Sequence, residues 1–202
     1  MSFQCDCADE HAGGDFSLFT QIDSPNVRSL NIVPLQGGEP SMVFKPWEHR
    51  FDETALESDA DDQIILFVPF TSSVRLKSIA LLGPPDNHAP AHLKVFVNRT
   101  DIDFDSVESA VPTQEWELVA CPPRGVVPEY PTRLPLFTSV RNLTIFISSS
   151  VGAETTKVSF IGLKGDYTPV NRNPIITNYE IAANPADHKT KASTGGLSNM
   201  IL

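Results

Sequence analysis

The segment Gln63 to Leu82, QIILFVPFTSSVRLKSIALL, constrains the fold more than any other part of the chain. Gln63 to Phe70 is a near-continuous apolar run of the kind that fills a central strand, and Val74 and Leu76 then alternate with Arg75 and Lys77 as in a half-buried one. Two core strands are therefore expected here. The apolar phase slips at Ser78, after which Ile79 and Leu81 join in, so either a bulge or burial on both faces is expected at that point. Gly83-Pro84-Pro85-Asp86-Asn87 then ends the strand. The segment carries no catalytic side chain, which favours a binding scaffold over an enzyme.

The rest of the chain repeats the pattern as shorter apolar runs divided by Pro, Gly, Asn and Asp. Leu93, Val95 and Val97 alternate with Lys94, Phe96 and Asn98, and Leu143, Ile145 and Ile147 alternate with Thr144, Phe146 and Ser148. Between Thr156 and Leu163, Val158 and Phe160 point inward and Lys157 and Ser159 outward, before Gly162 and Gly165 break the run. Weaker strands are expected at Trp116 and Leu118 and at Leu134 and Leu136, where Pro135 requires an edge position. Asp15 to Asp23 fits a short helix or an edge segment equally, with Ser24-Pro25 as its interruption. No stretch keeps helical periodicity over several turns. The simplest architecture is all-β, a jelly-roll-like β-sandwich of two antiparallel sheets with loops gathered at the ends. The Pro-rich link from Cys121 to Pro135 is expected to cross from one sheet to the other as a stiff extended path.

With 202 residues and 41% hydrophobic content the chain can bury one sizeable core, which is placed at residues 16–183. Residues 1–15 are small, polar and acidic and residues 184–198 are polar with Gly and Ser, so neither end can offset the entropy of ordering by burial, and 1–15 and 184–202 are expected to be tails. A formal net charge of -10 disfavours nucleic acid and anionic membranes as partners and favours a basic protein patch. No apolar run approaches the roughly 20 residues that span a bilayer, and the start MSFQCDCADEHAGGD is acidic where a signal peptide would be basic and then apolar. An intracellular protein is expected, so the sequons at Asn98 and Asn142 carry no weight. Cys5, Cys7 and Cys121 are an odd number of cysteines and read as free thiols.

Few residue groups offer chemistry. His88 and His92 have the i, i+4 spacing of a helical metal pair, but Pro90 between them denies the helix. Asp101, Asp103 and Asp105 imitate a calcium loop, yet Ser106 and Pro112 stand where an EF-hand needs Gly and Glu. Their favoured reading is solvated carboxylates on a segment anchored by Ile102 and Phe104. Cys5, Cys7 and His11 could hold a soft metal, although nearby acids disfavour thiolate. No nucleotide-binding, metalloprotease or hydrolase motif occurs, and no catalytic residue, metal or cofactor is assigned. The acids Asp52, Glu53, Glu57, Asp59, Asp61 and Asp62 read as a solvated face. Before them stands Phe44-Lys45-Pro46-Trp47-Glu48-His49-Arg50, aromatic and basic in an acidic chain. Its Trp is either an interface anchor or a cover for the end of the core.

These residues also carry a family resemblance. FKPWE at Phe44 to Glu48, ESDAD at Glu57 to Asp61, PFT followed by VRLK between Pro69 and Lys77, the FD of Asp103 to Asp105, NLTIFI from Asn142, GAETTKV then IGLKG from Gly152 to Gly165, and NYEIAANPADH from Asn178 occur in this order. The combination resembles a PITH domain, the proteasome-interacting domain of thioredoxin-like proteins, and most closely the stand-alone members that lack thioredoxin. The resemblance spans Cys5 to Lys189. It implies a jelly-roll sandwich similar to galactose-binding-like domains, a cytoplasmic and nuclear location, and association with the regulatory particle of the 26S proteasome. The sequence has no C-x-x-C, so disulfide reductase activity is not carried over. The expected function is a non-catalytic adaptor. Lys45, Trp47, Arg50, Asp59, Asp61 and Asp62 are its expected partner-binding residues, Trp47 as desolvated anchor and the charges setting orientation and on-rate. The alternative is a small-ligand or carbohydrate-binding sandwich, suggested by fold analogy alone.

Overall fold

Ile64–Leu82 forms one strand of 19 residues, β3, where the sequence predicts two. Phe70-Thr71-Ser72-Ser73 contains neither Gly nor Pro, so the chain stays extended while it passes from one sheet into the other. The computed structural model describes residues 16–33 and 39–168. Expectations for the tails, for the domain's end at 183, for the Cys5, Cys7 and His11 group and for the motif beginning at Asn178 fall outside those residues.

The first half of β3 lies between β1 (Arg28–Leu30) and β7 (Val140–Ser150), and β4 (Pro90–Val97) and β5 (Gln114–Glu117) extend that sheet beyond β7. The second half lies between β9 (Phe160–Thr168) and β6 (Glu129–Pro131). β2 (Leu56–Glu57) and β8 (Lys157–Val158) form a separate two-stranded ribbon, and all pairings are antiparallel. Leu66, Val68, Leu93, Val95, Ile145 and Ile147 of the first sheet meet Leu76, Ile79, Leu81, Ile161 and Leu163 of the second in one buried cluster. The result is a jelly-roll β-sandwich, and its core comes from the alternation visible in the sequence.

The slip at Ser78 is a bulge: Leu76 pairs with Gly165 and Ser78 with Lys164, so Lys77 is the extra residue. The Thr132 hydroxyl reaches the carbonyls of Leu76 at 2.6 Å and Lys77 at 2.9 Å, supplying a partner where the ladder is disturbed. β9 does not stop at Gly162 or Gly165, as the sequence predicts, but runs to Thr168. Gly165 is required for close approach, since a Cβ there would lie 2.0 Å from the Arg75 carbonyl oxygen.

Leu134–Leu136 is a 3-10 turn instead of an edge strand, with both leucines 48% exposed. Pro135 stands at the start of the turn, where its fixed φ fits and no backbone N–H is called for. The link from β5 to β6 crosses between the sheets as expected. Residues 16–26 satisfy both readings of their pattern, with 3-10 turns at Phe19–Gln21 and Ser24–Asn26 and bridges from Ser17 to Lys164 and Ile22 to Phe70. A four-residue helix absent from the sequence reading, α1 (Phe104–Val107), is closed by a capping box between Asp103 and Ser106. Ile102 and Val107 pack with Ile65, Phe96 and Phe146, which explains why β4 and β7 carry Phe on their outer face. Asp101 makes a two-pronged contact with Arg99 at 2.6 and 2.7 Å, and those hydrogen bonds hold its carboxyl down at about 2.

Candidate functional site

Phe44 is buried and fixes the start of the aromatic and basic segment to the core. After Pro46 the chain makes one 3-10 turn, Trp47–His49, which lays the half-buried indole of Trp47 over the beginning of β9. Phe160 meets that indole edge-on, with ring centroids 5.9 Å apart and planes at 72°. Two cations also approach the ring: Lys164 Nζ lies 4.6 Å from its centroid and the Arg50 guanidinium 4.7 Å. Arg50 is held further by stacking on Phe51 at 4.6 Å and by an Nη1 donation to the Trp47 carbonyl at 2.8 Å. Its Nε is buried without a hydrogen-bond partner among the described residues.

Lys164, 9% exposed, donates to Glu129 at 2.8 Å, and Ser78 also hydrogen-bonds that carboxylate. Burial pushes the Glu129 carboxyl up, but the hydrogen bonds from Lys164 and Ser78 outweigh it and the net shift is downward. Lys45 donates to the carbonyls of Asp52 at 3.3 Å and Thr54 at 3.0 Å. Burial lowers its pKa, opposed by the nearby Asp52. Lys45 thus pins the backbone of residues 52–54.

The acids divide by their partners. Asn31 sits in the left-handed region at φ 58° and organises their loop: its Nδ2 donates to Asp61 at 2.6 Å and to the Gln63 carbonyl at 2.7 Å, and its Oδ1 accepts from Ala60 N–H at 2.9 Å. Asp61 accepts a second bond from Gln63 N–H at 2.9 Å, and Asp62 accepts from Ser150 N–H at 3.0 Å. Asp59 is exposed and its carboxylate takes no partner among the described residues. No hydrogen bond or ion pair among the described residues joins Lys45, Trp47 or Arg50 to Asp59, Asp61 or Asp62. Nothing local in the sequence marks Asn31, Glu129 or Lys164, whose side-chain hydrogen bonds span 29 or more positions.

Beside the Trp47 segment lies a cleft of about 690 Å³. One wall is Phe51 to Ala55, the other Gly83 to Asp86, and Met42 and Leu82 contribute apolar surface. Asp52, Glu53, Glu57 and Asp86 line it together with Lys157, which pairs with Glu57 at 3.2 Å. His88 and His92 lie apart, His88 in the β3–β4 turn with Nδ1 3.0 Å from the Thr155 hydroxyl and His92 on β4 opposite Glu117.

Comparison with known proteins adds family and fold. A family model described as "PITH domain" matches residues 8–183. The chain is 40% identical over 184 residues to "PITH domain-containing protein 1" of Danio rerio, covering 90% of this chain and 85% of that one. The Homo sapiens protein of the same name is 38% identical, covering 92% and 86%. Among solved structures, CBM32 domains of Clostridium perfringens ZmpB in complex with GalNAc match with TM-score 0.53 at 12% identity, over 75% of this chain and 36% of that one. The C-terminal domain of a Bacteroides fragilis chitobiase matches with TM-score 0.52 at 9% identity, over 74% and 99%. At such identities the structural likeness establishes a galactose-binding-like fold and nothing about ligands.

Proposed function

The chain belongs to the PITH domain family, and from that premise we propose that it is a non-catalytic, cytoplasmic and nuclear protein-interaction domain that associates with the regulatory particle of the 26S proteasome. The observation that carries this reading is the division of charged groups at the Trp47 end of the sandwich. Lys45, Arg50 and Lys164 are bound to carbonyls, rings and Glu129, so they shape the surface. Glu53, Asp59 and one oxygen of Asp86 take no partner among the described residues and are left to face another protein. A rigid rim with unspent negative charge suits steering of a basic protein surface better than proton transfer. Within this reading Trp47 and Asp59 remain partner-facing, Arg50 steadies the Trp47 ring, and Lys45, Asp61 and Asp62 hold the neighbouring loops.

The test is affinity capture of the tagged full chain from cytosolic extract at low salt, with partners identified by mass spectrometry. Stoichiometric regulatory-particle subunits, lost as salt is raised, are expected. A preparation without those subunits overturns the proteasome assignment.

A further inference from the structure

The cleft beside Phe51 has a chemistry of its own, and we infer that it binds an extended peptide segment in which Lys or Arg flanks an apolar side chain. The inference rests on the protein-interaction reading above and names the chemistry of the segment such a partner inserts. Three properties of the walls converge on it.

The first is charge: Asp52, Glu53, Glu57 and Asp86 line the cleft with one cation among the described residues, Lys157, which is paired with Glu57, while Asp52 lies 3.2 Å from His49 Nδ1. The second is donor balance. Pro84 and Pro85 have no N–H, so one wall offers carbonyl oxygens and ring surface, and a ligand must bring its own donors. Lysine, arginine and peptide N–H groups do so, whereas an acidic segment would meet four carboxylates and find the Lys157 ammonium already paired with Glu57. The third is apolar surface: Phe51 is 47% exposed and lines the same cleft as the proline rings, which gives an aliphatic side chain apolar contact between charged flanks. At about 690 Å³ the cleft falls within the roughly 300–1,000 Å³ of ligand sites and holds several side chains.

The walls are also fixed before binding. Lys45 pins the carbonyls of Asp52 and Thr54, and Arg50 stacks on the ring of Phe51. Opposite, a Cβ on Gly83 would lie 2.5 Å from Pro90 Cδ and 3.0 Å from the Lys157 carbonyl, so that turn is packed down on its neighbours. Preorganised walls reduce the ordering cost of association.

The test is an NMR titration of the full chain with the acetylated, amidated peptide Ala-Lys-Leu-Arg-Ala, against Ala-Glu-Leu-Glu-Ala and galactose as separate probes. Amide shifts are expected at Phe51, Glu53, Ala55, Leu82 and Asp86 with the basic peptide. Affinity should fall about fivefold or more between about 50 mM and about 300 mM salt. The double variant Glu53→Gln, Asp86→Asn should bind about five- to tenfold more weakly with an unchanged Tm, because Asn keeps the acceptor for His88 N–H. No shifts, shifts centred elsewhere, equal binding of the acidic peptide, or a response to galactose alone each overturn the inference. Regulatory-particle capture run on the same samples separates the two readings. Peptide binding without capture leaves the cleft standing and removes the proteasome assignment, and capture without peptide binding does the reverse.

Discussion

Replacing Trp47 by Ala should cost about 3 kcal/mol, because the indole is held on several sides. The edge-to-face contact with Phe160 at 5.9 Å contributes about 1 kcal/mol. The two cation contacts, at 4.6 and 4.7 Å on a half-buried ring, contribute about 0.5–1 kcal/mol each. Partial burial of the ring supplies the remainder at about 25 cal/mol per Å² of apolar surface. For a chain of this size about 2–4 °C of Tm accompanies each kcal/mol, so thermal unfolding followed by circular dichroism should drop by about 6–12 °C. Trp47→Phe keeps a ring beside Phe160 and should recover about half of that. A Lys164→Met, Trp47→Ala cycle should give a coupling of about 0.5–1 kcal/mol, since each residue removes part of what the other touches. A loss below about 2 °C for Trp47→Ala, or additivity within about 0.3 kcal/mol in the cycle, would refute the placement of the ring as cover for β9.

Gly165→Ala should abolish soluble expression or lower Tm by more than about 10 °C, since its Cβ would lie 2.0 Å from the Arg75 carbonyl oxygen; wild-type melting would contradict the strand approach. Thr132→Val keeps the shape and removes the hydroxyl that serves the Lys77 bulge, so urea unfolding should show a loss of about 1–2 kcal/mol, and no loss would mean water replaces it. Asp61→Ala strips an acceptor from Asn31 and Gln63 and should cost about 1–2 kcal/mol, whereas Asp59→Ala should stay within about 0.5 kcal/mol of wild type; the reverse order would refute the division of the acids. Glu129 is held below its ordinary 4.5 when folded, so its stabilising contribution is present above that pH and is lost as pH falls through the lower folded value; Glu129→Gln should flatten the acid limb of a stability-pH curve below about pH 4.5, and an unchanged slope would exclude the pair with Lys164.

Most of the fold was legible because buried strands write their period into the sequence. Leu93, Val95, Leu143, Ile145 and Ile147 alternate in the text and in the core alike. The slip at Ser78 was visible because a bulge changes the phase of the side chains that follow it. Much of what sequence pattern did not reveal has one cause: the contact lies far along the chain. The glycine at position 165 looks like a breaker until the carbonyl of Arg75 is beside it. Leu134 and Leu136 look like a strand because apolar spacing says nothing of whether another surface covers them. α1 is too short to show a period, and its only trace is the cap pair Asp103 and Ser106. The candidate site was half legible. Trp47 and its basic neighbours stood out by composition, whereas Phe160 and Lys164, which decide how that Trp is held, come from the far end of the domain.

The acids look alike in the sequence because the groups that distinguish them lie about 30 or more positions away. Asp59, Asp61 and Asp62 occupy one short stretch and look equivalent, yet Asn31 and Ser150 convert two of them into struts and leave Asp59 without a partner among the described residues. A group with its hydrogen bonds satisfied within the fold gains little from a partner, because binding would only exchange one bond for another. Recognition therefore belongs to groups the fold leaves unpaired, and their positions follow from where the struts end. Asn31 and Ser150 hold the loop of Asp59, and Lys45 holds the wall of Glu53. Both free carboxylates are thus mounted on backbone that is already fixed, so a basic partner would meet charge whose ordering cost was met in folding. That arrangement makes substitutions at the struts and at the free acids separable. The former should move Tm and binding together, and the latter binding alone.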